Sequence, residues 1–162
     1  MQNLKFLNSK ERKEFYKSLE KTYGFLGELD GNLLLSPKEQ KVYLLSGAEL
    51  LEPGFDKELR IDRAGLYIAK YLSNGIQLNV EGSQLIGPRS TRHILEIDED
   101  HLEPWVKGQD FDLSLGESER INGESGLFMV RFRDDFMGSA IIKEGKVRNQ
   151  LSKIRWVKDF NK

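Results

Sequence analysis

Between residues 143 and 157 the chain reads KEGKVRNQLSKIRWV, with cations at Lys143, Lys146, Arg148, Lys153 and Arg155. The charges alternate with apolar residues instead of forming a tail. Along an extended strand, successive side chains take opposite faces. Lys146, Arg148 and Gln150 then share one face, and Val147 takes the other. In the same way Lys153, Arg155 and Val157 share a face, with Ile154 and Trp156 opposite. A row of point charges on such a face suits the phosphate oxygens of a polynucleotide backbone. Solubility is the plain role of surface lysine and arginine, but five cations in fifteen residues on a patterned face favour binding. Arg89 and Arg92, in GPRSTRH, add two more upstream. Asn149 carries an amide suited to a base edge or a ribose hydroxyl, and a turn role suits it equally well. Trp156 is read as packing a core rather than stacking on a base.

Other chemistry is harder to place. The chain has no cysteine, which excludes disulfides, thiolate metal sites and cysteine nucleophiles. His93 and His101 have no ligand-spaced carboxylate motif around them, and each reads as a lone surface histidine. GSQLIG has glycines but neither the GxGxxG spacing nor a phosphate-loop lysine. Asp134-Asp135 and the Asp98–Asp100 pair sit in turn-like, solvent-facing sequence rather than in a cleft that separates their pKa values. No GxSxG elbow is present. The expectation is a protein that is not an enzyme, with no catalytic residue, no metal site and no cofactor.

The chain of 162 residues carries a net charge of −1, unevenly spread. Residues 1–93 hold 14 basic and 12 acidic side chains, residues 94–126 hold 2 and 10, and residues 127–162 hold 9 and 4. The local field is therefore more informative than the overall balance. No apolar run reaches the ~18 residues of a membrane span. The N-terminus lacks the apolar stretch and small-residue site of a secretory signal. A cytoplasmic location without membrane contact is expected.

The elements that must position these residues follow from local pattern. NLKFL alternates as a short strand. Asn8 and Glu11 have capping-box spacing, Tyr16, Leu19 and Tyr23 recur at helical spacing, and Gly24 ends a helix of roughly 9–22. FLGEL, NLLLS and KVYLLS are short apolar runs separated by turns at Asp30-Gly31 and Ser36-Pro37. SGAELLEPG, 46–54, reads as a short helical turn. GLYIAKYL and IQLNV flank Ser73-Asn74-Gly75 as a hairpin. EGSQLIGP reads as a helical turn or a loop. HILEI is a strand, and Asp98 caps a helix that closes at Gly108. Beyond it only strand and turn signals follow: FDLSL, the loop GESERINGESG, LFMVRF, MGSAII, KV and IRWVKDF. Short strands with glycine punctuation predict a small barrel.

The order of a helix ending WVKG, a QDF strand, an acidic glycine-rich loop, LFMVRF and FMGSAIIKEGKVRNQLSKIRW resembles a PUA domain, an RNA-binding pseudobarrel. The piece FMGSAIIKEGKVRNQLSKIRW resembles the C-terminal PUA region of Nop/Sun-class RNA methyltransferases. GLYIAKYLSNGIQLNVEGSQLIGP looks like the segment that precedes that unit. The two-part layout resembles Nip-class ribosome-biogenesis factors. Ser139 stands where a second glycine would often be, and Leu151-Ser152 replace a proline region. No Rossmann-type cofactor loop accompanies the resemblance, so it does not extend to methyl transfer.

The resemblance implies an α+β fold, with an N-terminal α/β pre-PUA domain over 1–93 and a PUA-like β-barrel over 94–162. It implies non-catalytic binding of ribosomal or transfer RNA, in RNA modification or ribosome biogenesis. The expected contacts are Arg89, Arg92, Lys143, Lys146, Arg148, Asn149, Lys153 and Arg155. The alternative is a protein-interaction module whose acidic segment 94–126 docks a basic partner, such as an RNA-modifying enzyme or a ribosome-assembly protein.

Overall fold

The computed structural model describes residues 4–46 and 65–160, so residues 47–54 of the expected helical turn lie outside them. Helix α1, Ser9–Tyr23, begins where its sequence places a cap. The Asn8 side chain accepts from the Glu11 N–H, and the Glu11 carboxylate accepts from the Asn8 N–H, both at 2.9 Å. The Lys5 ammonium bonded to Glu11 holds that carboxyl below its usual range. The helix ends at Gly24, which has a left-handed φ of 66°. Its inner face is Phe15, Tyr16, Leu19 and Tyr23. Burial stabilises the phenylalanine and the leucine by about 1.5–3 kcal/mol each.

That face covers a five-stranded antiparallel sheet of β1 (Lys5–Phe6), β2 (Asn32–Ser36), β3 (Lys41–Leu45), β4 (Leu66–Leu72) and β5 (Gly75–Leu78), in that order. The β4–β5 hairpin forms where expected, with Leu72 opposite Gly75 and Ser73 and Asn74 as the loop. Tyr23 donates from its hydroxyl to the Ile76 carbonyl at 2.6 Å, and burial pushes its phenol well above the ordinary range. FLGEL is not a strand. Phe25 and Leu29 are buried from a loop, and the Leu29 N–H is satisfied by the Tyr16 hydroxyl at 2.9 Å.

Helix α2, Val80–Ile86, crosses from this sheet to the next, so EGSQLIGP resolves as helix. Asn79 caps it through Gly82 N–H at 2.8 Å and ties it back to the Tyr67 carbonyl at 2.7 Å. A 3-10 turn, Gly87–Arg89, follows. The second sheet has the order β6 (Ile94–Glu96), β8 (Gly126–Phe132), β9 (Asp135–Lys143), β10 (Lys146–Asn149) and β7 (Phe111–Asp112). β6 runs parallel to β8, and the other pairs are antiparallel. The whole is mixed α and β, with sheet curled into a half-barrel.

Helix α3, Glu99–Val106, is capped by Asp98, as its sequence predicts. Its Trp105 is fully buried with Leu95, Phe128, Val130, Ile142 and Val147. The expectation of strand and turn alone beyond Gly108 is corrected by α4, Leu115–Arg120. A reciprocal capping box between Ser114 and Glu117 starts this short helix. IRWVKDF is likewise not a strand. Lys153–Arg155 form a 3-10 turn, and both edges of β10 are already taken, by β9 and β7.

The two sheets share a core. Met129 and Phe136, from β8 and β9, pack with Phe15, Leu19, Ile68 and Ile86. Polar bonds knit the same junction. Ser139 donates to the Leu78 carbonyl at 2.6 Å, and Ser83 accepts from the Gly138 N–H at 2.9 Å.

Candidate functional site

Strands β9 and β10 are joined by Glu144 and Gly145, both with positive φ, of 50° and 73°. That is the two-residue turn whose twist suits a hairpin. Its register places Lys146 opposite Lys143, Arg148 opposite Ile141 and Asn149 opposite Ala140. Residues paired across a ladder share a face, as do residues two apart on one strand. Lys143, Lys146 and Arg148 therefore project together, while Val147 and Ile142 are buried beneath them. All three cations are exposed, and none forms an ion pair among the described residues. Asp112 flanks Lys146 on β7 without closing one. Like charges set directly opposite each other destabilise the strand pair.

The other expected contacts are placed differently. Lys153 is exposed, but it lies in the 3-10 turn with its ammonium 5.9 Å from the Trp156 ring centre. Arg155 is ion-paired with Glu81 at the start of α2. Ile154, expected on the face opposite these cations, is 88% exposed. Trp156 is 39% exposed rather than a core residue; its indole N–H donates to the Leu151 carbonyl at 3.0 Å. The strand pairing expected for these residues is thus replaced by a turn that returns the chain towards α3. There the Val157 N–H reaches the Val106 carbonyl at 2.8 Å.

Asn149 makes that turn. Its amide nitrogen donates to the Trp105 carbonyl at 2.8 Å and the Gln109 carbonyl at 3.3 Å. Its amide oxygen accepts from the Leu151 N–H at 2.8 Å. The group expected to read a base is instead spent on backbone. Arg92 is spent similarly, donating to the Glu20 and Lys21 carbonyls at 2.8 and 2.6 Å and so capping the C-terminus of α1. Arg89 lies over the Phe25 ring, 4.7 Å from its centre, and reaches the Glu28 carbonyl at 3.3 Å. None of these three extends the hairpin's row of cations.

Neither histidine is a lone surface residue. The His93 ring stacks on Phe128 at 4.4 Å, with Nδ1 2.8 Å from the Leu127 carbonyl and Nε2 3.1 Å from Glu124. His101 Nδ1 lies 3.0 Å from Asp98 and 3.4 Å from Glu117, and its ring packs on Phe111. Asp98, His101 and Glu117 thus bring three possible ligand atoms within 4.8 Å of one another. Each carboxylate already caps a helix. The sequence separation of Glu117 from the other two concealed the cluster. The acidic segment is also partly neutralised within the molecule, by Arg131 on Glu96 at 2.9 Å and Arg133 on Glu99 at 2.8 Å.

A further set of cations was legible but not singled out. Lys10, Lys13, Lys17 and Lys21 recur at helical spacing on the exposed side of α1. None of them forms an ion pair among the described residues. The spacing of three, four and four residues was the available signal.

No protein-family model matches the chain, and no curated protein matches it at a significant level. Among the described residues no helix is long and apolar enough to cross a membrane.

Proposed function

We propose that the protein binds RNA without catalysis, through the cationic face of the β9–β10 hairpin. The carrying observation is that Lys143, Lys146 and Arg148 share one strand face and, although Asp112 stands opposite Lys146, none of the three forms an ion pair among the described residues. A protein that needed these charges only for solubility would gain by dispersing them. A phosphate backbone supplies the counter-charge along a line, and releases its own condensed ions as it binds. Lys153 stands beyond the row, and the α1 lysines offer a second basic surface.

The finer fold belongs to the same reading. A second sheet of mixed parallel and antiparallel pairs starting after Arg92, with a helix packed on it, is compatible with a PUA-like pseudobarrel over 94–162. Residues 1–93 then form the preceding unit. Ribosomal or transfer RNA is the substrate that the sequence resemblance suggests.

The test is a salt titration of binding to a labelled transfer-RNA stem-loop. Replacing Lys143, Lys146 and Arg148 together by alanine should weaken binding and flatten the slope of log K against log salt by about two units. Unchanged affinity and slope would refute the reading.

A further inference from the structure

Beside the cationic face lies a cleft of about 350 Å³ between the two sheets. One wall comes from β4, β5 and the start of α2, the other from β9 and the chain after β10. Pockets that hold small organic groups span about 300–1,000 Å³, so the volume suits one nucleotide-sized occupant.

The register ties the cleft to the cations. Just past the end of β10, Gln150 follows Arg148 by two residues and bonds through its N–H to the Ser139 carbonyl at 3.2 Å. Along this one sheet face the pairs run Lys146 with Lys143, Arg148 with Ile141, then Gln150 with Ser139. The first two pairs lie outside the cleft and the third lines it. Same-face neighbours on a strand stand about 6.6 Å apart. A chain of phosphates following the cations is therefore led to the cleft mouth.

The lining has the two properties that an unstacked base needs. Its apolar surface includes Leu66, 43% exposed, and Ile154, 88% exposed, large side chains left in water at the opening. Its polar groups include two side-chain amides from opposite walls, Gln77 on β5 and Gln150. Gln77 makes no side-chain hydrogen bond among the described residues, and Gln150 makes only a long one, to the Arg148 carbonyl at 3.4 Å. An amide offers a donor and an acceptor side by side, the pattern that matches a base edge.

We propose that this cleft takes one unstacked base of single-stranded RNA, whose flanking phosphates run over Arg148, Lys146 and Lys143. The inference rests on the RNA reading and adds strandedness to it. A duplex keeps its bases stacked and could use the cations alone, whereas a single strand exposes base edges at little cost.

The experiment compares a labelled single-stranded RNA decamer with a duplex of the same length, by anisotropy at fixed salt, using the full chain. The single strand should bind about tenfold tighter. Ile154→Ser and Gln77→Ala, both neutral changes, should erase that preference while leaving duplex affinity unchanged. Equal affinity for the two RNAs, or a preference untouched by both variants, overturns the cleft assignment and leaves the cationic face standing. Binding of neither RNA overturns the RNA reading together with it.

Discussion

Asp98 serves several donors with one oxygen. Its Oδ1 accepts from the Asp100 and His101 N–H groups at 3.1 and 3.2 Å and lies 3.0 Å from the His101 ring. The bond from His101, ahead of the backbone bonds, holds its carboxyl below the ordinary range. A carboxyl lowered by folding adds stability above its unfolded pKa, and that stability is lost as pH falls through the folded value. Asp98→Asn keeps a capping side chain and removes the charge. Wild type should therefore melt higher than Asp98→Asn at neutral pH, and the gap should close below about pH 4. A gap that stays constant across that range would refute the linkage. Asn149 shows the same economy at the residue scale: one amide closes three backbone bonds, which spends both of its N–H donors.

Among the elements, the segment after β10 depends on a close approach. Gly108 has a φ of 75°, and a Cβ there would sit 2.1 Å from the Trp156 ring. Gly123 has a comparable φ of 63° with nothing within 4 Å. The pair separates two costs. Gly123→Ala should lose only the left-handed strain, about 1–2 kcal/mol. Gly108→Ala should lose more in urea unfolding, and its tryptophan emission should shift to the red as Trp156 is displaced. Equal losses with an unshifted spectrum would mean that the ring does not need this glycine. The outcome also bears on the cleft, because Leu151 and Ile154 reach it from the same segment.

At the scale of the molecule, the two sheets are joined by shared core and buried polar bonds rather than by a linker. Ser139, 2% exposed, satisfies the Leu78 carbonyl across that junction. Ser139→Ala should cost about 1–3 kcal/mol, the penalty of an unpaired buried acceptor. Both tryptophans, Trp105 and Trp156, belong to the second half of the chain, whereas far-UV circular dichroism reports on both halves. Their unfolding curves should coincide, in wild type and in the variant, because Met129 and Phe136 complete the core beneath α1. Separate transitions would mean that the halves unfold independently.

Most of the local order was legible where its cause is local. The Asn8–Glu11 box, the Asp98 cap, the Ser73–Asn74 hairpin loop and the alternation of Lys146, Val147 and Arg148 each depend on a few neighbouring residues. The Ser114–Glu117 box was equally local, though α4 is short and sits among glycines that read as loop.

What the chain determined by itself is this set of caps, turns and alternating faces, because backbone hydrogen bonding and side-chain direction act over one to four residues. Tertiary structure alone decided which cations stay free. Arg155 meets Glu81 from 74 residues away, Arg92 meets the end of α1 from 71 and 72 away, and Asn149 meets Trp105 from 44 away. It also decided that Ile154 faces water, since a strand needs an open edge and β10 had none left to offer.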